Sequence, residues 1–166
     1  SMLTVEMRPG VYWIGLNDRT TDLFEGLWPI KQEGVSLNSY LILDEKKVVI
    51  DATREIMAVE MLGKVQRLAD LSSIDYVVIN HMEPDHTGAL LALRRIAPQA
   101  VLLCSERGKR MLADFYGITE GVQAVRDGET ISLGKHTLQF ISTPNIHWPE
   151  TMMTFETSQK ILFSCD

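Results

Sequence analysis

Short apolar runs alternate with glycine, proline and charged residues along the whole chain, and this pattern predicts many short secondary-structure elements. In the first third, the predicted strands are Val5 to Glu6, Val11 to Leu16, Ser39 to Leu43 and Val48 to Asp51. The last two form a predicted hairpin around a charged turn. Residues 17 to 36 contain glycine and proline without a regular period and are predicted to form a loop.

The middle of the chain shows helical periodicity on both sides of a buried strand. Arg54 to Leu68 is a predicted helix with Thr53 as its N-cap, and Glu60 and Lys64 lie one turn apart in it. The buried strand runs from Ile74 to Asn80. A second helix is predicted to end near Ile96, and a third runs from the N-cap Ser105 to Tyr116 before Gly117.

The last third of the chain changes to strands separated by turn residues. They are predicted at Val122 to Arg126, Thr130 to Leu133, Thr137 to Ser142, Thr151 to Glu156 and Ile161 to Cys165. Helices mixed with strands and followed by hairpins predict an α/β (α+β) fold of packed layers rather than a purely parallel sheet.

Length and composition limit the possible classes of protein. The 166 residues are predicted to form one domain, and a formal net charge of −6 favours neither nucleic acid nor an anionic membrane as partner. No apolar run reaches membrane-spanning length and no secretory signal is present, so we expect a cytoplasmic protein. Cys104 and Cys165 lie in apolar runs and are expected to be buried, reduced thiols.

A cluster of potential metal ligands follows the predicted buried strand in the string N-H-M-E-P-D-H. Alternate residues of an extended backbone project to the same side, so His81, Glu83 and Asp85 can converge on one point. Pro84 keeps Glu83 out of helical geometry, and His86 follows directly. Imidazole and carboxylate groups at this density predict a metal site.

Two further candidate ligands lie later in the chain. His147 belongs to a loop with two prolines, a place where functional groups are commonly displayed, although a solvated loop histidine is the alternative. Asp166 ends an apolar strand, where a carboxylate is unfavourable unless paired or bound to a cation; it is a predicted bridging ligand, or alternatively a disordered terminus. His136, beside Lys135 in a hairpin turn, is expected to be solvated.

Charge and ligand type indicate which metal fits. Glu83, Asp85 and Asp166 supply three negative charges, which two divalent ions and a bridging hydroxide would bring close to neutrality. Imidazoles combined with hard carboxylates suit iron or manganese better than zinc, although zinc remains possible on affinity grounds. The residues therefore predict a two-metal site.

These residues resemble the diiron domain of flavodiiron proteins, within the metallo-β-lactamase superfamily. The resemblance runs through the string His81-x-Glu83-x-Asp85-His86, then His147-Trp148-Pro149 and Ser164-Cys165-Asp166, with upstream matches in Phe24-Glu25-Gly26, residues 34–42 and Ile50-Asp51. Zinc hydrolases of the superfamily carry histidine where this chain has Glu83. The resemblance covers nearly all of residues 1–166 and implies an αββα sandwich with the metals at one edge of its two sheets.

The resemblance also implies roles for individual residues. One iron would be bound by His81, Glu83 and His147, the other by Asp85 and His86, with Asp166 bridging the two. The implied activity is reduction of dioxygen to water, of nitric oxide to nitrous oxide, or of both, with electrons from a donor such as rubredoxin or a flavin domain. Trp148 and Phe24 are candidate walls of the gas pocket.

The family pattern continues beyond Asp166 with another histidine ligand and a flavodoxin-like domain that holds FMN. Neither occurs in this sequence, so we expect a sandwich that is incomplete at its C-terminal end, a weak second iron site and little turnover. Open sheet edges would favour a homodimer or higher oligomer.

Other functions remain open from the sequence. A stand-alone diiron domain would serve as an oxygen-binding sensor, and a zinc-dependent hydrolase would activate a bridging water. Glu83 argues against the hydrolase. A metal-free structural relic is disfavoured because each ligand position up to Asp166 holds a competent residue. The sequence does not decide between dioxygen and nitric oxide, and it does not identify the electron donor.

Overall fold

A computed structural model of the chain describes residues 4–15, 39–51, 58–82, 87–143 and 151–163. The predicted loop at 17–36 and the predicted helix start at Arg54 with its cap Thr53 lie outside these residues. The remaining elements agree in type with the alternation of strands and helices that the sequence predicts.

A seven-stranded sheet contains the first strands in chain order, β1 to β7, each paired with the next. Pairing is antiparallel from β1 to β4 and parallel from β4 to β7. The strands are β1 Val5–Arg8, β2 Val11–Trp13, β3 Tyr40–Ile42, β4 Val48–Ile50, β5 Tyr76–Val78, β6 Val101–Cys104 and β7 Val122–Ala124. The parallel half brings the carboxyl ends of β4 and β5 to the same edge of the sheet.

The second sheet is an antiparallel meander of four strands in the order β11-β10-β9-β8. Its strands are β8 Thr130–Ser132, β9 Thr137–Ser142, β10 Met152–Glu156 and β11 Ile161–Phe163. The predicted hairpin around Gly134-Lys135 and the one through Ser158-Gln159 are therefore confirmed. The turn at Asp127-Gly128 is not a hairpin turn, because β7 and β8 belong to different sheets. The β8–β9 turn supplies the left-handed backbone position that a tight connection needs at Gly134, where φ is +124°.

Three helices occur in the described part of the chain: α1 Ala58–Leu68, α2 Thr87–Ile96 and α3 Glu106–Tyr116, with a short 3-10 helix at Leu71–Ser73. Both predicted ends of α3 are confirmed. The Ser105 hydroxyl accepts a hydrogen bond from the backbone N–H of Gly108 at 3.0 Å, which caps the N-terminus. Gly117 adopts a left-handed conformation and its N–H donates to the Ala113 carbonyl at 3.1 Å, which ends the helix.

Alternate residues of the central strands face two different cores. Leu41, Val49 and Leu102 pack against the helices, together with Leu62 of α1 and Leu112 of α3. Their chain neighbours face the second sheet in a core formed by Ile42, Val48, Leu103, Leu138, Phe140, Met152 and Phe163. Period-two alternation thus gives one sheet two apolar faces and produces a helix–sheet–sheet layering, which corresponds to three layers of the predicted αββα sandwich.

Lys64 is buried, with a side chain that is only 1% exposed. The sequence shows only that it lies one helical turn from Glu60. The ammonium Nζ donates to the Gly15 carbonyl oxygen at 2.6 Å and lies 4.7 Å from the centroid of the Trp13 ring. A carbonyl and an aromatic face take the place of part of the water shell of this buried charge. Lys64 therefore ties α1 to the end of β2.

His136 corrects a prediction, since it is 4% exposed rather than solvated. Its backbone N–H donates to Asp44 Oδ2 at 2.7 Å, and its ring Nδ1 lies 2.7 Å from the same oxygen. Ring Nε2 lies 2.9 Å from the Pro9 carbonyl oxygen and 3.2 Å from Nε2 of Gln159. We call Pro9, Asp44, His136 and Gln159 the His136 cluster.

The His136 cluster joins the two sheets at one end of the molecule. Pro9 lies in the β1–β2 turn, Asp44 in the β3–β4 turn, His136 in the β8–β9 turn and Gln159 in the β10–β11 turn. Because Asp44 precedes β4 and Asp51 follows it, the cluster lies at the end opposite to Asp51.

Candidate metal centre

The carboxyl ends of β4 and β5 place two polar side chains beside the first predicted ligand. Asp51 directly follows β4, and Asn80 and His81 follow β5. His81 is half-buried at this edge. Acidic, amide and imidazole side chains therefore follow the ends of two adjacent parallel strands. Ligand sites in sheets of this type typically lie at such strand ends.

Asp51 holds the start of the His81 segment through its carboxylate. Asn80 donates to it twice, from the backbone N–H to Oδ1 at 3.0 Å and from Nδ2 to Oδ2 at 3.0 Å. The Asp51 backbone is left-handed at φ 61°, and its carbonyl accepts a hydrogen bond from the Ser39 hydroxyl. Burial raises the pKa of Asp51 to about 7, although the hydrogen bonds from Asn80 and the charge of His81 act to lower it.

Asn80 also reaches across to the second sheet. Its carbonyl accepts the backbone N–H of Met152 at 2.9 Å, and its Oδ1 accepts the Thr154 hydroxyl at 2.7 Å. Its Nδ2 donates to the Phe163 carbonyl at 3.3 Å. The start of β10 and the end of β11 are therefore linked to the same residue that precedes His81.

Of the six predicted metal ligands, His81 lies in the described part of the chain. The other five lie outside it: Glu83, Asp85, His86, His147 and Asp166. So do Trp148 and Phe24. Among the described residues taken alone, no three His, Cys, Asp or Glu side chains are placed to hold a metal ion.

The described neighbours of the predicted ligands nevertheless come together at one edge. Residues 144–150, which include His147, are flanked by Thr143 and Thr151, and the Thr143 N–H donates to the Thr151 carbonyl at 3.1 Å. Phe163 lies three positions before Asp166 in the sequence. Two imidazole-bearing segments and an acidic chain end thus start from one edge, and this donor set of imidazoles and hard carboxylates fits a pair of iron ions.

Two residues at this site were not predicted as functional from the pattern of the chain. Asn80 and Asp51 each close an apolar strand; Asp51 also belongs to the family resemblance, but neither residue was given a role at the site. A polar residue that ends a buried strand is unfavourable unless it has a partner. Like Asp166, both residues therefore needed a hydrogen-bond partner or a cation.

The amino-acid sequence matches a known family. The model of the ODP family beta lactamase matches residues 35–166. The nitric oxide reductase of Moorella thermoacetica is 34% identical over 163 residues, which are 98% of this chain and 41% of that protein. The anaerobic nitric oxide reductase flavorubredoxin of Vibrio vulnificus is 35% identical over 166 residues, 99% of this chain and 34% of that protein.

Solved structures of similar proteins share the fold. The flavodiiron protein from Giardia intestinalis superposes with a TM-score of 0.84 at 37% identity, covering 98% of this chain and 39% of that one. The rubredoxin oxygen:oxidoreductase from Desulfovibrio gigas gives a TM-score of 0.82 at 30% identity, covering 96% and 40%. The predicted metallo-β-lactamase-like fold is confirmed by these similarities.

The chain spans between about a third and two fifths of the length of these relatives. Within the described residues, no helix is both long enough and apolar enough to span a membrane. The family model matches residues 35–166, and the solved relatives share the fold. This chain therefore belongs to the ODP family of β-lactamase-like domains, as represented in the flavodiiron proteins.

Proposed function

We propose that this chain is the diiron-binding part of a flavodiiron oxidoreductase that reduces dioxygen to water, nitric oxide to nitrous oxide, or both. One observation carries the proposal: hydrogen bonds of Asn80 join the starting points of the segments that contain the predicted ligands. The names of the relatives in Moorella thermoacetica, Vibrio vulnificus and Desulfovibrio gigas support a reductase over a sensor or a zinc hydrolase.

In this proposal the ligands are divided between two irons. His81, Glu83 and His147 would bind one, Asp85 and His86 the other, and Asp166 would bridge them. A pair of ferrous ions held by these residues would supply two electrons to a small diatomic substrate. The task of the protein is to hold the ligands, and the carboxylates at positions 83, 85 and 166 would offset the positive charge of the two ions.

The described residues orient the His81 segment and exclude water from one side of the proposed site. Asp51 fixes the backbone of Asn80, so that His81 leaves the sheet in a set direction. The core between the two sheets lies directly beneath this edge and includes Val78, Met152 and Phe163. Apolar packing below the site limits water on that side.

We also propose an electron donor, a cellular compartment and an oligomeric state. A rubredoxin-type protein or an FMN domain would donate the electrons, as the name of the Desulfovibrio gigas relative suggests for that protein. The buried, free thiol of Cys104 fits a reducing, cytoplasmic compartment. A homodimer or higher oligomer remains part of the proposal.

The test is iron binding under anaerobic conditions. We expect ferrous iron to bind the chain, and Glu83→Gln, which keeps the shape but removes the charge, to weaken binding by about 10- to 100-fold. Glu106→Gln, on α3, is the matched control and is expected to leave binding unchanged. Equal iron affinity of the Glu83→Gln variant and the wild type would contradict the proposal, as would strong zinc binding with hydrolysis of esters.

Activity is tested separately with reduced rubredoxin as the donor. Consumption of nitric oxide and of dioxygen is followed with electrodes in parallel samples. Because little turnover is expected of residues 1–166 alone, the expected result is a small consumption of either gas, limited to about the amount of bound iron, that disappears in the Glu83→Gln variant. Binding of either gas without oxidation of the bound iron, in protein that rubredoxin reduces, would favour the sensor.

A further inference from the structure

We propose that Asn80 is the positioning residue that sets the three ligand-bearing segments of the site relative to one another across the two sheets. This inference rests on the proposed diiron function and adds a residue to it that is not itself a ligand. It depends on hydrogen bonds among described residues.

Asn80 is fully buried, with an exposure of 0%, and each of its polar groups has a partner. The two hydrogens of its amide nitrogen are directed to Asp51 Oδ2 and the Phe163 carbonyl, and its amide oxygen accepts from Thr154. Its backbone N–H donates to Asp51, and its carbonyl accepts from Met152. Such a complete set is the condition under which a buried amide specifies one arrangement.

Asn80 and two of its hydrogen-bond partners each lie close in sequence to a different predicted ligand. Asn80 itself precedes His81. The Met152 N–H lies two positions after residues 144–150, which contain His147, and Phe163 lies three positions before Asp166. A displacement of the Asn80 amide would therefore be transmitted to three segments that come from both sheets.

No other side chain of similar size satisfies these partners. Aspartate has the same shape but no hydrogens to donate, and its charge would face the Asp51 carboxylate across the 3.0 Å contact that Nδ2 now makes. Glutamine adds a methylene to a fully buried position. The Asp51 carboxylate and the Phe163 carbonyl accept only, so Nδ2 must face them and Oδ1 must face the fully buried Thr154 hydroxyl.

The effect on metal affinity follows from the geometry. Residues that orient metal ligands without binding the metal typically change affinity by about 10- to 100-fold when they are replaced. Asn80 orients several ligands at once, so its replacement is expected to reach that range.

The first variants break or preserve the network at two positions. Asn80→Asp removes both donors, and Thr154→Val keeps the shape of the side chain but removes the hydroxyl. Thr154→Ser retains the hydroxyl and tests rescue. Glu156→Gln is the matched control, because Glu156 is an equally buried residue at the far end of β10, where its carboxylate accepts hydrogen bonds from Thr137, Ser158 and Gln159.

The first readout needs no metal. Amide hydrogen exchange is measured by NMR on the metal-free chain. In the Asn80→Asp variant we expect the backbone amides at positions 80 and 152 to exchange faster and the Thr137 amide to be unchanged. In Glu156→Gln we expect the reverse pattern, because Thr137 donates to Glu156. Uniformly faster exchange in both variants would mean that Asn80 contributes only general stability, and it would overturn the inference.

The second readout is iron affinity, measured by competition with a chelator. Asn80→Asp and Thr154→Val are expected to bind iron about 10- to 100-fold more weakly, whereas Thr154→Ser and Glu156→Gln are expected to bind like the wild type. Equal weakening by Glu156→Gln would overturn the positioning role. If the wild type bound no iron, the proposed function would fail, and the exchange pattern would still decide whether Asn80 fixes the three segments.

Discussion

Replacing Asp44 by asparagine is expected to remove a pH-dependent part of the free energy of unfolding. The Asp44 side chain is 5% exposed and holds His136 through two contacts of 2.7 Å. Burial of the carboxyl raises its pKa, but hydrogen bonds from His136, from the backbone of Glu45 and from the backbone of Lys135 outweigh that effect and lower it to about 2. Asparagine has the same shape and cannot ionise.

The magnitude follows from the difference between the pKa values of the folded and unfolded states. A change from 3.8 to about 2 corresponds to an upper limit of about 2.4 kcal/mol at neutral pH. Because the carboxylate lies close to the surface, solvent screening reduces this to about 1–2 kcal/mol. Since the folded-state pKa is lowered, the contribution is complete above about pH 5 and is lost as the pH falls towards 2. About half of it remains at pH 3.

Urea unfolding followed by circular dichroism at pH 7, 5, 4 and 3 measures this contribution. Asp44→Asn should be less stable than the wild type by about 1–2 kcal/mol at pH 7, and the difference should fall by about half at pH 3. Glu45→Gln removes the same charge from the exposed neighbouring position and is the control, with no such pH-dependent difference expected. A difference for Asp44→Asn that stays constant from pH 7 to pH 3 would refute the electrostatic reasoning.

Two further predictions concern glycine and cysteine. Gly10 and Gly128 both have φ near +80°, but an added Cβ lies 2.9 Å from the His136 ring at Gly10 and meets nothing within 4 Å at Gly128. Urea unfolding should therefore show a loss of about 1–2 kcal/mol for Gly128→Ala and about 1–3 kcal/mol more for Gly10→Ala; equal losses would contradict the packing argument. Burial raises the pKa of Cys104 to about 12, so a Cys165→Ser variant should react with a thiol reagent at pH 8 only after unfolding in urea, and rapid reaction of the folded protein would oppose this.

Local pattern was sufficient to predict the elements of this fold. The ends of α3 follow from Ser105 and Gly117, because a capping hydroxyl and a left-handed glycine act on backbone groups a few residues away. The strands follow from period-two alternation and turn residues. These signals lie within single elements, so their effect does not depend on how the layers pack.

Two residues whose burial the sequence did not predict depend on distant partners. Lys64 contacts Gly15 across 49 positions of the chain, and His136 contacts Asp44 across 92 and Pro9 across 127. A lysine on a helix and a histidine beside a turn are both ordinary surface residues when only their neighbours are considered. Their burial results from tertiary packing, which no local period encodes.

The residues of the candidate site also form two groups, those recognisable from the local sequence and those that depend on distant partners. His81, Glu83, Asp85 and His86 were recognisable because they are close together in the sequence. Asn80 was missed because its partners at Met152, Thr154 and Phe163 become neighbours only when the two sheets pack. Its role is visible only in three dimensions.

The lengths of four hairpin connections are coupled through the imidazole of His136. An extra residue in any of these connections would displace one partner of the same ring, so insertions there should be tolerated poorly. The connection between α3 and β7 is different, since Thr119, Glu120 and Gly121 are exposed and lie outside that cluster. An affinity tag or a reporter domain is therefore better inserted at residues 119–121 than at any of the four coupled turns.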